Sequence, residues 1–127
     1  MRVLRHAHRL CRPGGIILDL TSVPPAASLE LDVRMLGRLD QRDFLARAAK
    51  TEEAVELLLA EGLLAEEASV ALAVLKHFDS GPEAIEDMDG RRVTRLPRRL
   101  RGTLEHTGRP LVERSHCLLR RLRVRAR

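Results

Sequence analysis

Apolar and polar positions along the chain form blocks that predict helices and strands in turn. Residues 2–11 carry apolar side chains at helical spacing, with Arg and His residues on the other faces, and predict an amphipathic helix. Pro13 and the following Gly14–Gly15 pair end it, because proline cannot continue the hydrogen-bond ladder. Residues 16–20 then form an apolar run that Asp19 interrupts, which predicts a short strand covered on both faces.

The middle of the chain predicts a short strand, a long helix and a second main strand. Residues 29–36 alternate moderately and indicate a short exposed strand that Gly37 breaks. Asp40 is a good N-cap for a helix over 41–61, which Gly62 closes, with Thr51 as a candidate bend or second helix start. Residues 68–77 are rich in β-favouring side chains and predict a strand.

Turn residues divide the last third of the chain. Ser80 followed by Gly81 and Pro82 has the pattern of an N-cap with proline in the first turn, and predicts a helix to about Asp89. A further helix is predicted from Pro97 to about residue 107, and a long final strand over 111–124. This succession predicts one α/β domain over 1–127, with parallel strands.

Composition excludes several classes of protein. Apolar residues make up 44% of the chain, which is typical of a globular fold rather than a disordered one. The apolar runs are far shorter than the roughly 18 residues that a membrane span needs, and the chain opens on no secretory signal pattern. We therefore expect a cytoplasmic location, no membrane partner, and reduced thiols at Cys11 and Cys117.

Charge is unevenly distributed along the sequence. Residues 91–127 hold 13 Arg against Glu105 and Glu113, a net charge of +11, whereas residues 1–90 carry −6. A basic segment of this density can attract nucleic acid. We interpret it instead as a solvated surface. Arg outnumbers Lys 21 to 2 over the whole chain, a bias that a GC-rich genome produces without any binding role. The chain also has only two phenylalanines and no Tyr or Trp, too few aromatic side chains for base stacking.

Most chemically suggestive groups in the sequence have a structural interpretation. Gly14–Gly15 precedes a strand, whereas a phosphate cradle needs glycines between a strand and a helix. His6 and His8 are two apart on a helix and do not share a face, so no metal site is predicted. The 115–117 Ser-His-Cys run is interpreted as part of a strand, and His77, at the end of a strand, as structural.

Asp19, Thr21 and Ser22 are the candidate site residues. Ligands of open α/β sheets bind outside the carboxyl ends of the strands, which is where these side chains fall. A buried carboxylate at Asp19 also needs partners. A hydrogen-bonded strand-end Asp beside turn-forming Thr and Ser remains the alternative.

A leucine, two arginines with an apolar residue between them, and a Pro-Gly-Gly turn precede the apolar run at 16–20; these residues are Leu4, Arg9, Leu10, Arg12, Pro13, Gly14 and Gly15. With this pattern, residues 3–22 resemble class I S-adenosylmethionine-dependent methyltransferases around their fourth helix and fifth strand. The resemblance implies a partial Rossmann-like methyltransferase sheet. Residues 68–77 and 111–124 would be strands six and seven, in the order five, seven, six with the last antiparallel, flanked by helices and with a helical insertion at 78–110.

The resemblance also implies what this sequence lacks. The family's glycine-rich loop, ribose-binding acid and fourth strand precede the matched stretch, so no cofactor-binding and no catalytic residue is carried over. We expect the chain to need the missing N-terminal half to bind S-adenosylmethionine or methylate its unknown acceptor. Asp19, Thr21 and Ser22 would lie beside that acceptor. The alternative is a non-enzymatic binding module for an anionic partner such as nucleic acid, using basic side chains between Arg91 and Arg101.

The missing neighbour predicts a physical property of the isolated chain. The strand at 16–20 would expose an edge that a fourth strand normally covers. An unpaired apolar edge favours pairing with another chain. We therefore expect a marginally stable or self-associating protein.

Overall fold

The computed structural model describes residues 11–126, which form an α/β fold of five strands and three helices. In chain order these are β1 Ile16–Ser22, β2 Ser28–Leu31, β3 Arg34–Arg38, α1 Arg42–Ala60, β4 Leu64–Phe78, α2 Gly81–Asp89, α3 Arg98–Glu105 and β5 Leu111–Val124. The α/β class is confirmed. The helix predicted over 2–11 lies, except for Cys11, outside the described residues.

The strands pair in an antiparallel sheet centred on β5. Its C-terminal part pairs with β1, from Ser22 opposite Cys117 to Ile16 opposite Arg123. Its beginning pairs with β2, which in turn pairs with β3, and β4 also pairs with β5. The predicted parallel sheet is therefore wrong for the described residues. A short apolar run indicates burial but not the direction of its neighbour, and the neighbour of β1 lies about a hundred positions later in the sequence.

Contacts divide the chain into two compact units, neither of them continuous in sequence. The described part of the first unit comprises residues 11–22, 47–72 and 117–126, and the second unit comprises 23–46 and 73–116. Each has its own apolar core. The first core contains Val55, Leu58, Leu63, Leu64, Leu122 and Val124. The second contains Ala27, Leu29, Leu39, Phe78, Ala84, Met88, Leu100, Leu104 and Leu111.

In the first unit β1 buries one face only. Ile17 packs against the core, whereas Ile16, Leu18 and Leu20 are 40%, 68% and 60% exposed. Successive strand residues point to opposite faces, so the three exposed side chains share one face. The prediction that both faces are covered is wrong, because described residues of the first unit cover only the face of Ile17.

The end of α1 follows the sequence prediction closely. Gly62 has a φ of +75°, and its amide donates to the Leu59 carbonyl while the Leu63 amide donates to the Leu58 carbonyl. These two bonds form a Schellman motif, which places glycine where an L side chain would be strained. The helix is continuous through Thr51, so no second helix starts there.

In the second unit the single strand predicted over 29–36 is a hairpin. β2 and β3 meet at Asp32 and Val33, whose φ angles are +49° and +60°. Two positive φ angles suit a tight hairpin turn, but Asn-Gly or Asp-Gly usually supplies them. Val33 is β-branched, and such residues rarely adopt a positive φ. The sequence therefore carried no turn signal at 32–33, and the alternating pattern over 29–36 predicted one continuous strand.

The capping pattern of α2 is confirmed. The Ser80 hydroxyl accepts from the Glu83 amide at 3.3 Å, and the Glu83 carboxylate accepts from the Asp79 amide at 2.9 Å. Gly90 ends the helix, and α3 begins after Pro97, as predicted. A Cβ atom at Gly81 would lie 1.9 Å from the Leu104 carbonyl oxygen, so glycine allows close contact between the start of α2 and the end of α3.

Candidate functional site

Asp19 and Thr21 of the predicted site lie together on the covered face of β1. The Thr21 hydroxyl donates to the Asp19 carboxylate at 3.1 Å, and Thr21 is only 6% exposed. Ser22 follows on the opposite side of the strand, opposite Cys117 in the ladder with β5. The structure thus brings two of the three predicted residues into direct contact.

The guanidinium of Arg120 lies beside them and is the centre of the site. Its side chain is 3% exposed, and its Nε lies 3.8 Å from the Asp19 carboxylate. The position follows from the ladder, in which Asp19 stands opposite Arg120. A cation buried this deeply needs charged or hydrogen-bonding partners.

Three further carboxylates surround Arg120 from α1 and β4. Glu52 and Glu56 are one helical turn apart on α1; Glu52 hydrogen-bonds one terminal nitrogen of Arg120, and Glu56 accepts from the other at 3.1 Å. Glu66 of β4 accepts from that same nitrogen at 3.4 Å. One arginine therefore ties together β1, α1, β4 and β5. We name Arg120 and its carboxylates Asp19, Glu52, Glu56 and Glu66 the Arg120 cluster.

The Arg120 cluster carries one positive and four negative groups. Burial opposes the charged form of Arg120, but hydrogen bonds to Glu56 and Glu66 and the charge of Glu52 outweigh it and raise its pKa. Among the described residues, two buried side-chain atoms have no hydrogen-bond partner, the Nε of Arg120 and one carboxylate oxygen of Glu52. The geometry is that of a structural ion cluster that holds three strands and one helix together.

The residues at this end of β1 do not fit the implied cofactor. The Asp19 carboxylate is engaged by Thr21 and Arg120, and Thr21 is buried. Neither presents a free polar group to a nucleoside or to a sulfonium. The described residues also contain no group of three or more His, Cys, Asp or Glu side chains placed to hold a metal ion. No helix within residues 11–126 is long and apolar enough to cross a bilayer.

Ion pairs within each unit engage many arginines of the basic C-terminal segment. In the first unit Arg121 and Arg123 both contact Glu67, whose pKa is lowered chiefly by its hydrogen bond to Arg123. In the second unit the pairs are Arg91 with Asp87 and Glu113, Arg101 with Asp89, Arg109 with Asp32, and Arg114 with Glu30. Much of the positive charge of 91–127 therefore neutralises acidic groups of the fold.

The arginines proposed for an anionic partner are only partly available. Arg91 makes two bonds to Glu113 and two to Asp87, and Arg101 makes two to Asp89. A phosphate would have to displace these carboxylates. These ion pairs could not be predicted from the sequence, because the acidic partners are up to 22 positions away.

A separate groove of about 430 Å³ lies within the second unit, at the end of β4. Its apolar lining comes from Leu75 and Phe78 of β4 and from Leu111 and Val112 of β5. Its polar lining comes from β2 and the hairpin turn that follows it, from the end of β4, and from β5: Glu30, Asp32, His77, Asp79 and Arg114. His77, interpreted from sequence as structural, is exposed and lines this groove.

Sequence reasoning missed this groove because its walls come from three distant segments. One signal was present, since His77 and Asp79 follow the apolar part of a strand at its carboxyl end. The hairpin wall could not be predicted without the turn at Asp32 and Val33.

A smaller groove of about 230 Å³ is lined by ion-paired groups. Asp40 holds Arg42 through two hydrogen bonds of 3.1 and 3.0 Å, and Arg95 shares a backbone bridge with Asp40. These contacts lower the pKa of Asp40, chiefly through the side-chain hydrogen bond from Arg42. Because Asp40 and Arg42 are paired with each other, neither offers an uncompensated charge to a ligand in this groove.

No family model, curated protein or solved structure matches this chain.

Proposed function

We propose that this chain supplies the C-terminal half of an S-adenosylmethionine-dependent methyltransferase. The observation that carries the proposal is the pairing of β5 with both β1 and β4. β5 runs antiparallel to β1 and pairs with β2 as well. The resemblance implies that strand seven pairs with strands five and six, and the two pairings of β5 with β1 and β4 support this assignment.

The Pro-Gly-Gly turn supports the same proposal through its hydrogen bonds. Gly14, with a φ of +84°, donates its amide to the Val124 carbonyl at 2.8 Å. The Val124 amide donates in return to the Gly15 carbonyl at 2.8 Å. The glycines therefore start the ladder between β1 and β5, which gives the sequence motif a structural purpose.

The uncovered side of β1 indicates where a second half would join. Among the described residues β1 pairs along one edge, with β5, and its face of Ile16, Leu18 and Leu20 is exposed. An unpaired edge beside an exposed apolar face is a template for another strand and the elements packed on it. The complementary half would supply that neighbouring strand.

The chain's own contribution under this proposal is architectural. S-adenosylmethionine, held by the complementary half, would supply the methyl group. In this chain the Arg120 cluster fixes β1 relative to α1, β4 and β5, and so sets the edge that the second half must meet. No residue of this chain is assigned to cofactor binding or to catalysis.

Co-expression with the complementary half tests the proposal. The coding sequence upstream of this chain, in frame or in a neighbouring gene, should encode a strand, a glycine-rich loop and a helix. Isothermal titration with S-adenosylmethionine is expected to give binding for the co-purified pair and none for this chain alone. Binding by the isolated chain, or a pair that forms without binding the cofactor, would overturn the proposal.

A variant with a matched control separates assembly from cofactor binding. Replacing Leu18 and Leu20 by glutamate places charges on the exposed face of β1 and should prevent co-purification. Val33→Thr changes an apolar side chain that is 98% exposed in the second unit and should leave the pair intact. Equal co-purification of both variants would remove β1 as the joining surface.

A further inference from the structure

We propose that the groove at the end of β4 binds an organic cation with an apolar body, such as an arylalkyl amine. The groove's volume of about 430 Å³ lies within the roughly 300–1,000 Å³ typical of small-molecule pockets. All of its lining residues belong to the second unit. Binding therefore does not depend on the proposed methyltransferase function or on a complementary half.

The apolar part of the ligand is inferred from the groove's exposed apolar lining residues. Leu75 and Val112 present side chains from adjoining strands, and Leu75 remains 45% exposed. Val33 stands at the hairpin tip, 98% exposed and with a φ of +60° that a β-branched residue rarely adopts. An apolar ligand body would cover these groups from water.

The positive charge of the ligand is inferred from the ionic groups that remain. Arg114 is paired with Glu30 at 2.9 Å, and Asp32 is paired with Arg109. Both of these carboxylates are thus compensated.

Asp79 is the lining carboxylate for which the described residues provide no cationic partner. Its own amide is bound by the Glu83 carboxylate, which adds a second negative charge nearby. An ammonium group beside Asp79 would complete the charge balance at this end of the groove.

The chain's composition allows a direct binding assay. It contains neither Trp nor Tyr, so the indole fluorescence of a probe is measured without a protein background. Tryptamine carries the ammonium group on an apolar ring, and tryptophol is its neutral counterpart with a hydroxyl group. We expect tryptamine to bind about fivefold more tightly than tryptophol, the size of effect that an exposed ion pair gives.

Two variants place the probe in the groove. Asp79→Asn should reduce tryptamine affinity to that of tryptophol, while Leu75→Asn should weaken both probes. Glu105→Gln, which removes an exposed carboxylate of α3 outside the groove, should leave both affinities unchanged. Circular dichroism checks that each variant is folded.

The outcomes decide the proposal in either direction. Tighter binding of tryptamine that is lost in Asp79→Asn supports it. Equal affinities for the two probes, no binding of either, or affinities that Asp79→Asn and Leu75→Asn leave unchanged would overturn it.

Discussion

Arg91 and Glu113 form a two-point ion pair in the second unit. The two terminal nitrogens of Arg91 donate to the two carboxylate oxygens of Glu113 at 2.8 and 2.6 Å. Glu113 is almost fully buried, and its hydrogen bonds are the leading reason that the pKa of Arg91 is raised. The pair connects the segment just beyond α2 to β5, so it ties the end of this helix to the sheet.

Glu113→Gln is predicted to lower the free energy of unfolding by about 2–3 kcal/mol, because it leaves a partly buried guanidinium without its main counter-charge. Urea unfolding followed by circular dichroism measures the change. Arg91 retains Asp87, which keeps the loss below that of a fully orphaned charge. The control is Glu105→Gln, an exposed change expected to cost less than about 0.5 kcal/mol. Equal effects of the two substitutions would contradict the assignment.

Removing Arg120 should be more damaging than removing any one of its carboxylates. Arg120→Met leaves four negative groups converging on an apolar side chain, and we predict a loss of about 3 kcal/mol or more in unfolding free energy. Adding Glu52→Gln and Glu56→Gln to Arg120→Met should recover part of the loss, because it relieves repulsion along one face of α1. A triple variant no more stable than Arg120→Met would argue against a charge-based role for the cluster.

Two glycines of the second unit should respond to alanine in opposite directions. Gly81→Ala would bring a methyl group to 1.9 Å from the Leu104 carbonyl oxygen, and is predicted to cost about 3 kcal/mol by forcing α2 and α3 apart. Gly102, within α3, has open space where a Cβ would stand. Gly102→Ala should therefore raise unfolding free energy by about 0.5–1 kcal/mol. Thermal unfolding distinguishes the two signs.

Acid should weaken the fold through carboxylates whose pKa is lowered in the native state. The Lys76 hydrogen bond lowers the pKa of Asp87, and the Arg123 hydrogen bond lowers that of Glu67. Since the unfolded chain binds these protons more readily, their stabilisation is present above the ordinary values of 3.8 and 4.5. This stabilisation is lost as the pH falls below the ordinary pKa values and through the lower pKa values of the folded state. Urea midpoints at pH 7, 5 and 3 should fall mainly in the last step, and less for Asp87→Asn.

Local signals were enough to predict the helix ends and the last strand. Gly62, Ser80 and Pro97 act through hydrogen bonds or backbone angles within a few residues of themselves, so their effect is visible in the sequence. The strand over 111–124 was predicted with its observed limits.

Features that depend on distant neighbours were not predictable in the same way. The exposed face of β1 and its antiparallel partner follow from contacts about a hundred positions apart. Asp19 and Thr21 do meet, but nothing in the sequence singles out Arg120 from the other arginines as the residue that lies beside them. Whether Asp19, Thr21 and Ser22 lie beside an acceptor stays a prediction.

The exposed face of β1 predicts that the isolated chain self-associates. Leu18 and Leu20 lie on one side of a strand that is paired along one edge among the described residues, and burying them in a second copy removes apolar surface from water. Sedimentation velocity should show a sedimentation coefficient that rises with concentration. Replacing both leucines by threonine keeps β propensity while removing apolar area, and should shift the protein to monomer; Val33→Thr should not. A wild-type chain that stays monomeric at all concentrations and unfolds cooperatively would mean that β1 needs no partner, and the proposed joining surface would lose its physical basis.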